Sequence, residues 1–297
     1  MRCYMHPLFE RHDPGRGHPE RPERYAAVAR AVAASGAEVV EATAAPRDAL
    51  ERVHDAAYLA AIERLAASGG GHLDPDTAVN EVSFQAAELA SGAALAAVED
   101  VLGGSLDRVF CAGRPPGHHA ERARAMGFCL VNHAAVAAAR AAAATEGRVA
   151  VLDWDAHHGN GTQAIFYDDP SVLYVSLHQW PFYPGTGAAG ERGAGAGQGT
   201  TVNIPLPAGT SEPAYLEAFD QVAVPALEEF APDLLIVSAG FDAHRDDPLC
   251  SLGLTAGAFA RMAQSVAHIG AGQVFVLEGG YDLDALEAST FAVLTAF

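Results

Sequence analysis

Apolar residues recur along the chain in two rhythms. Alanine-rich stretches at roughly 21–35, 48–67, 82–103, 131–146, 212–230 and 255–269 carry them at helical spacing. Between these lie short unbroken apolar runs at 108–112 (RVFCA), 149–153 (VAVLD), 172–177 (VLYVSL), 201–205 (TVNIP), 234–238 (LLIVS) and 274–278 (VFVLE). The first pattern predicts helices with an apolar face, the second strands covered on both sides. Their alternation predicts an α/β fold: a single parallel β-sheet flanked by helices on both faces. With no linker, repeat or composition break, residues 1–297 are expected to form a single domain, with a short final helix after residue 283.

Four of the predicted strands run directly into polar, glycine-containing turns: RPPGHHA (114–120), DWDAHHGNG (153–161), AGFDAH (239–244) and GGYD (279–282). Ligands of open α/β sheets bind beyond the carboxyl ends of the strands, so these turns are expected to converge on one site.

Asp153, Asp155 and His157 alternate along an extended segment and therefore project to the same side. Joined by Asp242, the set Asp155, His157 and Asp242 offers three ligands with one position left open, as catalytic zinc sites require. One Asp–His pair alone would as readily be satisfied by backbone; the other converging turns favour the metal. His118 and His119 follow two prolines and a glycine, and imidazoles beside a metal suit general acid–base work. A lone histidine would more often be a core group. Tyr281, just past two glycines, can donate its hydroxyl to a developing oxyanion, although taken singly it would read as packing.

Composition narrows the partners. The chain has 18 basic and 37 acidic residues, a net charge of −19, and every basic residue is arginine. Such a surface repels phosphate backbones and attracts cations, so no nucleic-acid partner is expected. The four cysteines, Cys3, Cys111, Cys129 and Cys250, form no CxxC pair and read as reduced thiols. No signal peptide or apolar run of bilayer length is found, so a cytoplasmic, membrane-free protein is expected. GTGAAG (185–190) matches a dinucleotide fingerprint literally, but it does not lead from a strand into a helix. His6, His12, His18, His54, His72, His133 and His268 are assigned structural or solvated roles; His158, His178 and His244 are assigned packing roles near the site, and Cys129 a core role.

With these residues in hand, the chain resembles the zinc-dependent histone deacetylase family, in particular its class II-like bacterial members. The motifs GHPERPERY (17–25), LDPDT (73–77), RPPGHHAE (114–121), MGFC (126–129) with Asn132, DWDAHHGNGT (153–162), VSLHQWPFYPGTG (175–187), SAGFDAHRDDPL (238–249) and LEGGYDL (277–283) span nearly all of it. The resemblance implies the arginase/deacetylase fold and hydrolysis of an acylated amine, acetyl-lysine or an acetylated polyamine. It implies that Asp155, His157 and Asp242 bind Zn2+, that His118 and His119 are the catalytic pair, and that Tyr281 polarises the carbonyl. His119 would exchange protons with the water and the leaving amine, and His118 would support charge. Asp153 stands where the family bonds the first histidine, and Asn160 where class II members have asparagine rather than aspartate. Phe128 and Tyr183 would wall an acyl-lysine tunnel, the Gly127 carbonyl would face the linker, and Asp76 would grip the substrate backbone at the rim. Asp153, Asp155, His157, Ser176 and Leu177 would surround a structural K+.

An acyl-lysine deacylase is the leading expectation. An acetylpolyamine deacetylase of the same fold is the rival: the charge of −19 suits it, whereas Leu249, where polyamine-selective relatives commonly place glutamate, and a short 5–20 loop do not. A catalytically silent ligand-binding module is a third reading, against which every matched catalytic position is intact.

Overall fold

Each apolar run becomes a strand because it can be covered on both faces by alanine-rich helices. In the computed structural model, which describes residues 1–145, 147–270 and 272–297, the strands are β1 (Arg2–Met5), β2 (Glu38–Glu41), β5 (Arg108–Cys111), β6 (Val149–Asp153), β7 (Val172–Gln179), β8 (Thr201–Leu206), β9 (Leu234–Ala239) and β10 (Gln273–Leu277). They form one sheet in the order β2-β1-β5-β10-β9-β6-β7-β8, and every pairing is parallel. A separate antiparallel pair, β3 (Gly71–His72) and β4 (Ala78–Val79), frames residues 73–77.

Alternation along each strand divides the core. Val149 and Val151 of β6, with Ile236 and Val274 of neighbouring strands, face α2 (Arg47–Glu51), α3 (Ala56–Ala67), α4 (Ser83–Leu102) and α5 (His133–Thr145). Ala150 and Leu152, with Val237 and Phe275, face α1 (Glu23–Ser35), α7 (Glu212–Ala218), α8 (Val224–Phe230), α9 (Ala256–Ser265) and α10 (Leu283–Leu294). Alanine suits these helices twice over, having high helix propensity and little bulk, so helix and sheet approach closely.

Several boundaries differ from the pattern-based expectation. The 48–67 helix is two helices, α2 and α3, separated by residues 52–55. The 212–230 helix is continuous but contains a π-helical turn at Phe219–Ala223. Position 146, the end of the expected 131–146 helix, lies outside the described residues. The final helix runs twelve residues and is not short. Periodicity missed β1, β2 and α6 (Asn160–Phe166): β2 reads EVVE at an exposed sheet edge, and α6 spans only seven residues. No helix among the described residues is long and apolar enough to cross a membrane.

Gly92, in the middle of α4, shows how tight the packing is. A Cβ there would overlap the Thr43 carbonyl, on the segment following β2. Helix propensity alone would favour Gly92→Ala by up to about 1 kcal/mol. Overpacking is expected to override this and destabilise the protein by about 1–3 kcal/mol. A thermal melt checks it, and a raised melting temperature would show that the contact yields easily.

Candidate active site

The sheet itself gathers the four turns. β5, β10, β9 and β6 are adjacent, so their carboxyl ends lie side by side. The connections also diverge here: β6 feeds β7 on one side, whereas β9 feeds β10 on the other. A crevice at such a switch point is where α/β sheets bind ligands.

At its floor Asp155, His157 and Asp242 bring one ligand atom each to within 4.8 Å of one another. His157 Nδ1 lies 3.2 Å from Asp155 Oδ1 and 2.8 Å from Asp242 Oδ2. The remaining carboxylate positions are fixed by backbone amides. Gly279 N donates to Asp155 Oδ2 (2.8 Å), His157 N to Asp155 Oδ1 (2.9 Å) and Ala156 N to Asp242 Oδ1 (2.7 Å). Both carboxylates are buried, and burial together with Asp155 holds Asp242 above the ordinary carboxylate range. Two neighbouring carboxylates out of water need a cation between them. The 3.2 Å spacing is close to the roughly 3.3 Å edge of a tetrahedron around a metal bonded at about 2.0–2.1 Å, and the 2.8 Å spacing is shorter. The residues therefore fit a small divalent ion.

The histidine pair stands above this floor with opposed electrostatics. His118 Nδ1 pairs with Asp153 Oδ2 at 3.0 Å, and Tyr174 donates to the same oxygen at 3.0 Å. Burial disfavours its charge, but Asp155 and Asp153 outweigh that and raise His118 well above its ordinary pKa. His119 Nδ1 meets Asn160 Oδ1 at 2.8 Å. Burial, then the neighbouring His118 and His157, hold His119 well below its ordinary value. The surroundings therefore push the two imidazoles in opposite directions, His118 towards its protonated form and His119 towards its neutral one.

Asp76, His119, Gly127, Phe128, His157, Tyr183, Leu249 and Tyr281 line a cavity of about 170 Å³. Its walls are aromatic: the Tyr183 ring stands 5.3 Å from His119, and Phe128 5.7 Å from Tyr281. Phe128 has φ 69°, in the left-handed region that a bulky residue normally avoids. It is held there by the 73–77 segment: Thr77 Oγ1 accepts from Phe128 N (3.1 Å) and Asp76 Oδ1 from Gly127 N (3.2 Å). Gly127 cannot carry a side chain, because a Cβ would run into the His119 ring. Tyr281 N donates to Asp247 Oδ2 (2.7 Å) and Leu249 N to Asp247 Oδ1 (2.9 Å), so one carboxylate anchors both the tyrosine and the rim.

Every residue singled out for the metal and for acid–base work lies at this crevice. Ser176 and Leu177 lie behind it on β7, buried, with Ser176 in register with Asp153. His18 has a structural role beside the cavity, packing edge-on against Phe128 at 4.5 Å and bonding the Asp76 carbonyl. Sequence reasoning also passed over Phe182, stacked on His157 at 5.3 Å, and Glu278, which accepts from Gly117 N and His118 N. His118, Cys129 and Glu278 form a second close group of ligand types, but the two amides bond Glu278 Oε2 and the Ser238 hydroxyl bonds Oε1, so the carboxylate has partners without an ion. A buried Glu20–Arg24–Arg114 cluster was missed too; its one sequence signal was the alternating charge of GHPERPERY. The glycine-rich 185–190 loop is not an anion site for a ligand, since Glu191 already accepts from Gly187 N and Ala188 N.

The chain is similar to known proteins along almost its whole length. The model of the Histone deacetylase domain matches residues 18–297. Histone deacetylase 15 of Arabidopsis thaliana is 41% identical over 303 residues, an alignment covering 99% of this chain but only 54% of the relative. The Histone deacetylase-like amidohydrolase of Pseudomonas aeruginosa is 42% identical over 277 residues, covering 89% of this chain and 73% of the relative. The crystal structure of the HDA15 HD domain superposes with a TM-score of 0.95 at 39% identity, covering 99% of this chain and 89% of the other. A parallel sheet of eight strands, a crevice at its switch point and these matches along almost the whole chain lead to one conclusion: the protein belongs to the histone deacetylase family of hydrolases.

Proposed function

We propose that this chain is a zinc-dependent amidohydrolase that removes acetyl or other acyl groups from the ε-amino group of lysine in peptides or proteins, its 297 residues acting as one catalytic domain. The observation that carries the reading is the aromatic-walled cavity of about 170 Å³, whose lining includes His157 of the Asp155–His157–Asp242 set together with His119 and Tyr281.

Those three residues would hold one Zn2+, which when bound acts as a Lewis acid on the amide carbonyl and lowers the pKa of water towards about 7. The remaining work falls to side chains. Asn160 turns its Nδ2 towards Glu121 Oε1 (2.8 Å), which leaves its Oδ1 facing His119. That orientation puts the His119 proton on Nδ1 and leaves Nε2 free as a base. Neutral and buried, His119 takes a proton from the attacking water and returns it to the leaving amine. His118, cationic beside Asp153, stabilises the negative charge that develops, and the Tyr281 hydroxyl donates to the oxyanion. Phe128 and Tyr183 exclude water around the alkyl stem, the Gly127 carbonyl faces it, and Asp76 receives the backbone at the rim. Asp153, Asp155, His157, Ser176 and Leu177 would surround a K+, largely through their carbonyls; the burial of all five residues is in keeping with this.

The alternative substrate, an acetylated polyamine, is favoured by the net charge of −19. At the rim, however, Leu249 offers the distant ammonium no partner. Side-by-side turnover of an acetyl-lysine peptide and N-acetylspermidine separates the two.

Three outcomes are expected. A chelator should remove activity and bound metal together, and Asp242→Ala should lose both; full turnover in a preparation shown to be metal-free would overturn the mechanism. Tyr281→Phe should keep the metal and lose about 10²–10³ in kcat, with KM changing much less, as steady-state kinetics would read. Leu249→Glu should raise the ratio of N-acetylspermidine to acetyl-lysine peptide turnover through a new charge-assisted contact. An unchanged ratio would assign selectivity to loop shape.

A further inference from the structure

The GHPERPERY segment has no part in the chemistry above, yet Glu20 within it is fully buried between two fully buried arginines. Its Oε1 accepts from Arg24 Nη1 (2.7 Å) and Arg114 Nε (2.6 Å), and its Oε2 from Arg114 Nη2 (2.7 Å). Both arginines reach further. Arg24 donates through Nε to the Gly280 carbonyl (2.6 Å) and through Nη2 to the Glu278 carbonyl, and its guanidinium lies 5.0 Å from the centre of the Tyr281 ring. Arg114 opens the turn that delivers His118 and His119, and it also bonds the Phe9 and His12 carbonyls. One carboxylate thus joins the turn bearing the tyrosine to the turn bearing the histidines, across 94 residues from Glu20 to Arg114 and 256 from Arg24 to Gly280.

A buried ion cluster is a poor source of net stability, because desolvation offsets the attraction. It does supply direction: a guanidinium fork accepts a carboxylate in few geometries. We propose that Glu20 is a positioning residue that, through Arg24 and Arg114, sets the placement of the Tyr281 hydroxyl relative to His118 and His119. The proposal rests on the catalytic roles given above.

The test uses Glu20→Gln, which removes the charge, and Glu20→Asp, which keeps it but is one methylene too short to reach both forks. Both are made in the full zinc-loaded chain and assayed on an acetyl-lysine peptide and its trifluoroacetyl analogue, with zinc content and melting temperature measured in parallel. For each variant kcat should fall about 10–10²-fold with zinc retained and KM within about threefold. The trifluoroacetyl substrate, whose carbonyl needs less help, should lose less. In a Tyr281→Phe background the added loss from Glu20→Gln should shrink to about threefold or less, since its main route of action is gone. An unchanged kcat per folded, zinc-loaded molecule would assign Glu20 to stability alone and overturn the proposal. So would an equal loss in the Tyr281→Phe background, or failure of both variants to fold. A wild-type chain that hydrolyses neither amide would instead overturn the proposed function.

Discussion

Two carboxylates held against one imidazole in a buried pocket are the constraint around which the crevice is organised. Asp155 and Asp242 belong to different strand ends, and each is fastened by the backbone of a neighbouring turn: Asp155 by Gly279 after β10, Asp242 by Ala156 after β6. The three turns therefore interlock. None can shift without leaving a buried acceptor short of its donor, a loss of about 1–3 kcal/mol for each group. The parallel sheet delivers this by register, since β6, β9 and β10 end at neighbouring levels.

From that floor upward, each layer fixes the next. Asp153 on β6 holds His118, and Asn160 at the start of α6 holds His119, so one stretch of chain supplies partners for both imidazoles. The two histidines are pushed in opposite directions: the carboxylates of Asp155 and Asp153 raise His118, whereas burial and the neighbouring His118 and His157 lower His119. Above them the wall is set by the small β3–β4 excursion, whose Asp76 and Thr77 grasp the backbone of Gly127 and Phe128. The segment within a small peripheral hairpin thereby fixes one wall of the cavity.

What was legible in the sequence follows from how each feature is encoded. Most buried strands announce themselves as unbroken apolar runs, and site turns as polar clusters at their ends, so six of the sheet's eight strands and the eight residues lining the cavity could be named from local pattern and resemblance, whereas the four-residue β1 was too short to stand out. Features that depend on distant contact could not. Glu20 and Arg24 look like part of an ordinary charged run, and nothing local links them to Arg114 until the fold buries all three together. The left-handed backbone of Phe128 exists because Thr77 reaches it from 51 residues away. β2 escaped notice because an edge strand need not be apolar.

Asp247 gives the site an evolutionary grain. One of its oxygens holds the amide of Leu249 at the rim, and the other holds the amide of Tyr281 deep in the crevice. Lengthening or re-routing the loop around residue 249 would pull on the tyrosine, so the rim is free to change its side chains but not its backbone. Substrate preference should therefore change more readily by replacing side chains at the rim than by lengthening the loop that Asp247 anchors.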